Sequence, residues 1–348
     1  MIITLFIILT ITAIIATFEE SLKSYRIYIY TLLGIILIGL AATRPIGIDK
    51  DSENYEEAYK NYDAPAIEKT VEFSYLWIAQ ILNNFSDDVH TIFFLFAVIS
   101  ISLKLYAISK LSPIWFSSVA IYLSNYYILH ELTQIRAGVA AALFMIAIYC
   151  ISERQRGKAF VLISVATFFH YSSVVLFPLL FLSKEKMSEI WKYTWALLIP
   201  IGYLLHFMHI GITTLPIPYV ANKMDIYTEL RDRGIMGDEV INVFNAVFVL
   251  KVIAFYFLMY FEETIYHYNK SFSFMLRLYS ISLFSFIFLA DMPVFAFRIS
   301  EIFGIVEIIL FSNIYFTLKP AYLSKLIIIL IGYFFFLFNI FQNELLSN

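Results

Sequence analysis

Long apolar runs fill this chain, and short polar stretches separate them. A membrane-spanning helix needs about 20 mostly apolar residues. The bilayer forces a backbone to satisfy its own hydrogen bonds, and the runs lack the roughly ten-residue alternation of outer-membrane strands, so helices are expected. The predicted spans are 1–17, 27–43, 89–109, 113–130, 137–151, 192–210, 243–262, 272–290, 294–317 and 322–342. The pattern thus predicts an all-α polytopic integral membrane protein with about 10–12 transmembrane helices.

Basic residues set the expected orientation of these helices. The connections "EESLKSYR", "KLYAISKLS" and "SERQRGK" together hold seven Lys and Arg, whereas the 44–88 loop has ten acidic residues and four basic ones. Because short cytoplasmic loops are enriched in Lys and Arg, the 44–88 loop is expected outside. The first run has no basic segment before it and no small-residue cleavage site, so we interpret it as a span and not as a signal peptide.

One stretch, 159–182, fits this topology poorly as a single span. A single crossing would put "SKEKMSEIWK", with its three lysines, on the outer face. A re-entrant or paired short-helix element that turns near His170 instead leaves every short basic loop inside and the loops 44–88 and 211–242 outside. Non-helical backbone at that depth is tolerated only within protein or beside a water-filled cavity, so a cavity is expected.

Composition narrows the class of protein further. The chain is 61% hydrophobic and 15% charged, with a mean hydropathy of +0.78, which excludes a soluble globular domain. A single transmembrane domain is expected over residues 1–348. The net charge of −3 gives no reason to expect a nucleic-acid partner, and Cys150, the only cysteine, rules out a disulfide framework or a thiolate cluster. No metal site and no cofactor are expected.

Ionisable residues beside or within the spans are the candidate chemistry, because a charge in the bilayer is costly. Arg44, Arg136, His170 and Arg298 all reach the outer half of the membrane in the predicted topology. Guanidinium groups bind phosphate oxygens at two points, so a lipid diphosphate is a plausible ligand, and His170 could take a proton from an attacking hydroxyl. Glu301 shares a helix face with Arg298 and could orient it. The alternative is structural: interfacial arginine anchors, and a histidine bonded to a backbone carbonyl.

The 44–88 loop opens with "TRPIGIDKDSENYEEAYKNYD", a dense group of acids and tyrosines. Tyr55, Tyr59 and Tyr62 fall on one face of a predicted short helix, where they could stack on sugar rings while Asp49 and Asp51 accept hydroxyl protons. A solvated interfacial helix with an aromatic belt would show the same pattern.

The second long loop, 211–242, contains Arg231 and Arg233 in "YTELRDRGIMGDE". Loops of this length are often functional, so this one is a candidate lid that adds two cations to the site. A purely connecting loop is the alternative.

Five segments, in order, carry a resemblance to a known family: "RPIGIDKDSENY", "VEFSYLWIAQIL", "IRAGVAAALF", "FFHYSS" and "FRISEIF". Together they resemble the Wzy-type polymerases of bacterial surface polysaccharide, in particular the EpsG-like branch. The family pattern of an arginine, G-x-D and a tyrosine a few residues later leaves open whether Asp49 or Asp51 has the family role.

The resemblance implies a GT-C-like glycosyltransferase that needs no metal. It would transfer a growing glycan from undecaprenyl diphosphate to another lipid-linked repeat unit at the periplasmic face of the bacterial inner membrane, and a chain-length regulator is a possible partner. Arg44, Arg136 and Arg298 would hold diphosphate. His170 would be a candidate base or acceptor-orienting group, and Asp49 or Asp51 with Tyr55 would contact sugar.

Two other functions stay open. A lipid-linked oligosaccharide flippase also needs an arginine-lined cavity, but transporters usually show internal repeats, and this sequence shows none. An O-antigen ligase uses the same donor, and only family resemblance separates it from a polymerase.

Overall fold

The computed structural model describes residues 1–64, 67, 71–214 and 241–346, and these residues are helical with short connections. In chain order the helices are α1 (Ile2–Thr17), α2 (Arg26–Ala42), α3 (Ser52–Lys60), α4 (Phe73–Asn83), α5 (His90–Leu111), α6 (Trp115–Ser124), α7 (Ile135–Ser152), α8 (Arg156–Phe169), α9 (Glu189–Phe207), α10 (Ala246–Tyr260), α11 (Glu262–Tyr268), α12 (Phe272–Phe288), α13 (Pro293–Gly304), α14 (Glu307–Ser312) and α15 (Ala321–Phe341). A π-helical segment, Tyr127–Thr133, and 3₁₀ segments at Lys23–Tyr25, Tyr171–Phe181, Ile212–Thr214 and Asn313–Phe316 complete the order.

The chain forms two compact units. The first contains Met1–Lys184, His267–Ser271 and Glu307–Asn348, and the second contains Glu185–Tyr266 and Phe272–Val306. In the first unit α7 packs against α5 and α8, α5 also packs against α2, and α6 packs against α1 and α15. In the second unit α12 packs against α9, α10 and α13.

Four helical segments of the described chain are long and apolar enough to cross a bilayer: Lys23–Ala42, His90–Leu111, Ile135–Ser152 and Ala321–Phe341. The shorter apolar helical segments are Ile2–Thr17, Trp115–Ser124, Tyr171–Phe181, Ala246–Tyr260, Phe272–Phe288 and Glu307–Phe316. The prediction of an all-helical multi-pass membrane protein is confirmed at this level.

Helix α2 shows how the sequence separates a protein face from a lipid face. Leu33, Leu37 and Ala41 recur every four residues and are buried. The opposite face exposes large apolar side chains that water would not tolerate in such a patch, which suits contact with lipid; they are Ile27, Tyr28, Leu32, Ile35 and Ile36.

Two predicted spans are corrected. The 113–130 span is not one helix: α6 ends at Ser124, Asn125 departs from helical geometry, and the π-helical segment follows. The 294–317 span is also interrupted, because α13 ends at Gly304 and α14 begins at Glu307. Glycine weakens a helix interior, and here the break coincides with the boundary between the two units.

The 159–182 stretch forms a pair of short elements. Helix α8 ends at Phe169, His170 is extended (φ −150°, ψ 111°), and the 3₁₀ segment Tyr171–Phe181 packs back against α8. Pro178 lies inside the 3₁₀ segment, where its missing N–H removes a backbone donor that a regular α-helix would use. The paired short-helix alternative describes this geometry, and His170 lies at the turn.

The 44–88 loop is folded onto the first unit and contains two short helices, α3 and α4. Buried side chains of α3 and α4, including Tyr55 and Tyr75, share one hydrophobic cluster with Phe93 of α5, Val139 of α7 and Ala166 of α8. This cluster fixes the loop against α5, α7 and α8. The loop residues can therefore occupy defined positions relative to those helices.

Candidate functional site

Arg44, at the end of α2, is enclosed by protein. Its Nε donates to Asp49 Oδ2 at 3.3 Å, its Nη1 donates to the Ala41 carbonyl at 2.9 Å, and its guanidinium carbon lies 3.6 Å from the centre of the Phe93 ring. The side chains of Arg44 and Asp49 are both 0% exposed. Nη2 has no hydrogen-bond partner in the described part of the chain. Arg44 therefore braces the loop, and a ligand would have to displace protein to reach it.

The carboxylate of Asp49 also has its hydrogen-bond partners within the protein. Its Oδ1 accepts from the backbone N–H groups of Asp51 and Ser52, at 3.0 and 2.9 Å, which satisfies donors at the start of α3. The backbone of Asp49 also forms a β-bridge with Leu346, and Lys50 Nζ donates to the Asn343 carbonyl at 2.8 Å. These contacts tie the beginning of the 44–88 loop to the residues that follow α15.

The tyrosines of α3 face the protein. Tyr55 and Tyr59 are 5% and 0% exposed, the Tyr59 hydroxyl donates to the Ser86 carbonyl, and the Tyr75 hydroxyl donates to the Tyr55 carbonyl. The expectation that Tyr55 and Tyr59 offer open rings to sugars is therefore wrong, because packing against Phe93 and its neighbours buries both rings. Burial raises the pKa of the Tyr55 phenol, and nearby Arg136 opposes that shift.

A buried polar network holds the π-helical segment directly before Arg136. Glu131 forms an ion pair with Lys104, and its Oε1 accepts from Ser100 Oγ at 3.1 Å and from the Tyr122 hydroxyl at 2.8 Å. The Tyr127 hydroxyl donates to the Leu37 carbonyl at 2.8 Å. A charge buried this deeply is costly unless it is paired and hydrogen-bonded, and this one is both. The network fixes the chain that leads into α7.

Arg136, Glu72 and His170 come together on the first unit. Arg136 Nη1 forms an ion pair with Glu72 Oε2, and Glu72 Oε1 lies 3.1 Å from His170 Nδ1. A hydrogen bond also joins the Arg136 guanidinium and the Tyr55 hydroxyl, and the guanidinium carbon lies 5.5 Å from the centre of the Tyr55 ring. The three ionisable side chains are 20%, 14% and 12% exposed. Unlike Arg44, each of them keeps part of its side chain exposed.

A comparison with protein families identifies the chain. The model of the EpsG family matches residues 27–346, which include every member of this cluster. The chain belongs to the EpsG family. No curated protein and no solved structure matches it.

Membership of the EpsG family confirms the resemblance noted in the sequence, and it indicates a polymerase-like glycosyltransferase role in polysaccharide biosynthesis. In this EpsG-family protein, two of the quoted segments, "IRAGVAAALF" and "FFHYSS", supply Arg136 and His170. The structure brings them to opposite sides of one carboxylate.

The remaining candidates stand elsewhere. Arg298 is exposed and Glu301 is half-buried on α13 of the second unit. Their convergence with Arg44 and Arg136 stays a prediction.

Asp51 is half-buried beside Tyr55, and its charge is among those that act on the phenol. Arg231 and Arg233 lie outside the described residues.

Glu72 is the member of the cluster that the sequence argument missed. It belongs to the quoted segment "VEFSYLWIAQIL", and it is the last acid before an apolar run. That position was a usable signal, since a carboxylate at the edge of an apolar helix needs a partner. Its partners are 64 and 98 residues further along the chain, so sequence spacing alone could not have assigned them.

Proposed function

We propose that this protein is a polysaccharide polymerase. It transfers a growing glycan from undecaprenyl diphosphate to a lipid-linked oligosaccharide repeat unit, at the periplasmic face of the bacterial inner membrane, in a GT-C-like transmembrane fold. Donor and acceptor both lie in the bilayer, and a chain-length regulator is a candidate partner. EpsG-family membership and the apolar helices support this assignment.

The observation that carries the proposal is the partly exposed pair of Arg136 and His170, which share the Glu72 carboxylate. Arg136 is the second residue of α7, so its charge adds to the positive end of an 18-residue helix. That end favours an anion such as a diphosphate. His170 shares the Glu72 carboxylate with Arg136, which supports a role for His170 as a proton acceptor near the diphosphate.

The reaction then balances without a cofactor. The acceptor hydroxyl oxygen bonds to the anomeric carbon of the donor, and the bond from that carbon to the diphosphate oxygen breaks. The electron pair leaves with the lipid diphosphate, whose developing charge Arg136 stabilises. The hydroxyl proton passes to Nε2 of His170. Product and lipid diphosphate form in equal amounts.

The other candidate residues take supporting roles in this proposal. Arg44 and Asp49 hold the loop in place, Tyr55 positions Arg136, and Asp51 contacts the glycan at the rim of the site. Arg298, oriented by Glu301, is proposed as a diphosphate ligand, and Arg231 and Arg233 are proposed as cations of the 211–242 loop. Each of these assignments can be tested by the same assay.

The test is the size distribution of the polysaccharide from a strain that lacks the gene and carries a plasmid copy. We expect wild type to restore a ladder of polymer lengths and His170→Ala and Arg136→Ala to leave single repeat units. Removal of a catalytic base or of a charge-stabilising donor typically costs about 100-fold or more in rate. Membrane abundance of each variant is matched by immunoblot.

Arg26→Ala is the matched control. Arg26 begins α2, and its guanidinium carbon lies 3.4 Å from the Trp115 ring centre, so it is an interfacial arginine outside the cluster. It should keep the ladder. Full ladders from both site variants would refute the proposed chemistry. Loss of even the single-unit band in the deletion strain would point to export or ligation.

A further inference from the structure

The carboxylate of Glu72 lies between two donors that come from different elements. Its Oε2 faces Arg136, at the start of α7, and its Oε1 faces Nδ1 of His170, at the turn after α8. One acidic side chain thus contacts both residues to which the proposed function gives chemical roles.

The backbone of Glu72 explains why its side chain is directed this way. Glu72 precedes α4 in an extended conformation (φ −63°, ψ 141°), and its carbonyl accepts from Tyr75 N–H at 3.0 Å. Its side chain makes no capping bond to α4, although acidic side chains before a helix often do so. The carboxylate is therefore committed to Arg136 and His170 and not to its own helix.

From this geometry we propose that Glu72 is the positioning residue of the site, which sets the tautomer of His170 and holds Arg136 beside it. This inference rests on the proposed function. An ionised carboxylate only accepts hydrogen bonds, so the proton of the neutral imidazole stands on Nδ1. Nε2 is then the nitrogen with the lone pair, which the acceptor hydroxyl requires. Glu72 acts through His170 and touches no substrate.

A carboxylate is required because both of its neighbours are donors. A glutamine in its place has one acceptor oxygen, and arginine can only donate, so the amide oxygen must face Arg136. The amide N–H₂ then faces His170 and donates to Nδ1. That arrangement moves the imidazole proton to Nε2, where it prevents base catalysis, and a change of tautomer can cost orders of magnitude in rate.

The change of tautomer gives an unusual order among variants. Glu72→Gln should lower kcat by about 100-fold or more, the range of a lost general base, while KM for the lipid-linked donor changes by less than about 3-fold. Glu72→Ala, which imposes no tautomer, should keep more kcat than Glu72→Gln. Glu72→Asp should recover part of the activity. A merely structural glutamate would give the opposite order, because glutamine is its closest replacement in shape.

The experiment is steady-state kinetics on the full-length protein in lipid nanodiscs, with a lipid-linked repeat unit as donor and acceptor. Glu56→Gln is the matched control, since Glu56 lies on α3 and pairs with Lys60 at the surface, at 2.7 Å. It should keep wild-type kcat and KM. Thermal unfolding of each variant separates lost chemistry from lost fold.

A second measurement does not depend on activity. Nitrogen-15 spectra of histidine-labelled protein, with the His170 signal assigned from a His170→Gln sample, report which ring nitrogen carries the proton. We expect Nδ1 in wild type and Nε2 in Glu72→Gln. An unchanged tautomer, or a Glu72→Gln kcat at or above that of Glu72→Ala, would overturn the role of Glu72. Full polymer from His170→Ala would instead refute the proposed reaction and leave the tautomer result standing.

Discussion

Arg44 and Arg136 are the same residue type, each beside the end of a membrane helix, and the fold uses them differently. Arg44 is sealed by Asp49, the Ala41 carbonyl and the Phe93 ring, with no exposed side-chain surface. Arg136 keeps 20% of its side chain exposed. At the scale of single residues, exposure and existing partners decide which arginine can meet a diphosphate.

The buried ion pair of Arg44 and Asp49 gives a prediction about stability. Asp49→Asn removes the charge that balances Arg44, and loss of one partner of a buried ion pair costs about 3 kcal/mol. Asp51→Asn, two residues away and half-buried, is the matched control and should cost far less. Thermal unfolding in detergent should show a clear drop in midpoint for Asp49→Asn alone. Equal midpoints for the two variants would contradict the bracing role of Asp49.

At the scale of elements, the π-helical segment and α7 together position Arg136. The segment departs from α-helical geometry immediately before Arg136, and such departures often occur at functional sites. Gly138 of α7 lies against it: a Cβ at this position would stand 2.8 Å from the His130 carbonyl oxygen. The glycine of "IRAGVAAALF" therefore allows the contact that places Arg136.

Gly138→Ala should displace the π-helical segment relative to α7. The methyl group meets backbone, which cannot yield as a flexible side chain does, so a cost of about 1–3 kcal/mol is expected together with reduced polymer. Gly39→Ala in α2 is the control, since a Cβ there has nothing within 4 Å. In a helix interior that change should be neutral or gain roughly 0.5–1 kcal/mol. Thermal unfolding and the polysaccharide ladder measure both effects, and similar results for both variants would refute the close approach.

At the scale of the whole molecule, the charge pattern predicts an orientation in the membrane, and this prediction is open to a direct test. Cys150 is the only cysteine and is buried, so its background labelling should be low. Lys60, in the 44–88 loop, and Lys158, at the start of α8, are exposed, and the charge pattern assigns them to opposite faces of the membrane. New cysteines at these two positions therefore report the two sides of the membrane.

A membrane-impermeant maleimide should label Lys60→Cys in intact cells and Lys158→Cys only after permeabilisation. Wild type, with Cys150 alone, is the control for background. If Lys158→Cys were labelled first, the candidate site would face the cytoplasm, and the proposed periplasmic polymerisation would have to be abandoned. Labelling of both positions in intact cells would show that one of the intervening spans is misassigned.

Local patterns in the sequence determined much of this protein. Apolar run lengths predicted the helices and the multi-pass membrane class, and the ordered segments from "RPIGIDKDSENY" to "FRISEIF" predicted the EpsG family. The distribution of basic residues over the loops predicted the turn near His170 between two short elements. The apolar runs and the family segments depend on neighbours within a few residues, and the turn depends on the order of charged loops along the chain, so the sequence is sufficient to find them.

Only the tertiary structure decided which polar side chains meet. It buried Tyr55 and Tyr59, which the sequence could place on one helix face but not on its inner or outer side. It paired Arg44 with Asp49 inside the protein and Arg136 with Glu72. It also brought Glu72 within 3.1 Å of His170, which is 98 residues further along the chain. Such pairings depend on how separate helices pack, and no local pattern encodes that distance. In a membrane protein these pairings depend even more on the fold, because a charged group away from water is stable only where the fold supplies its partner.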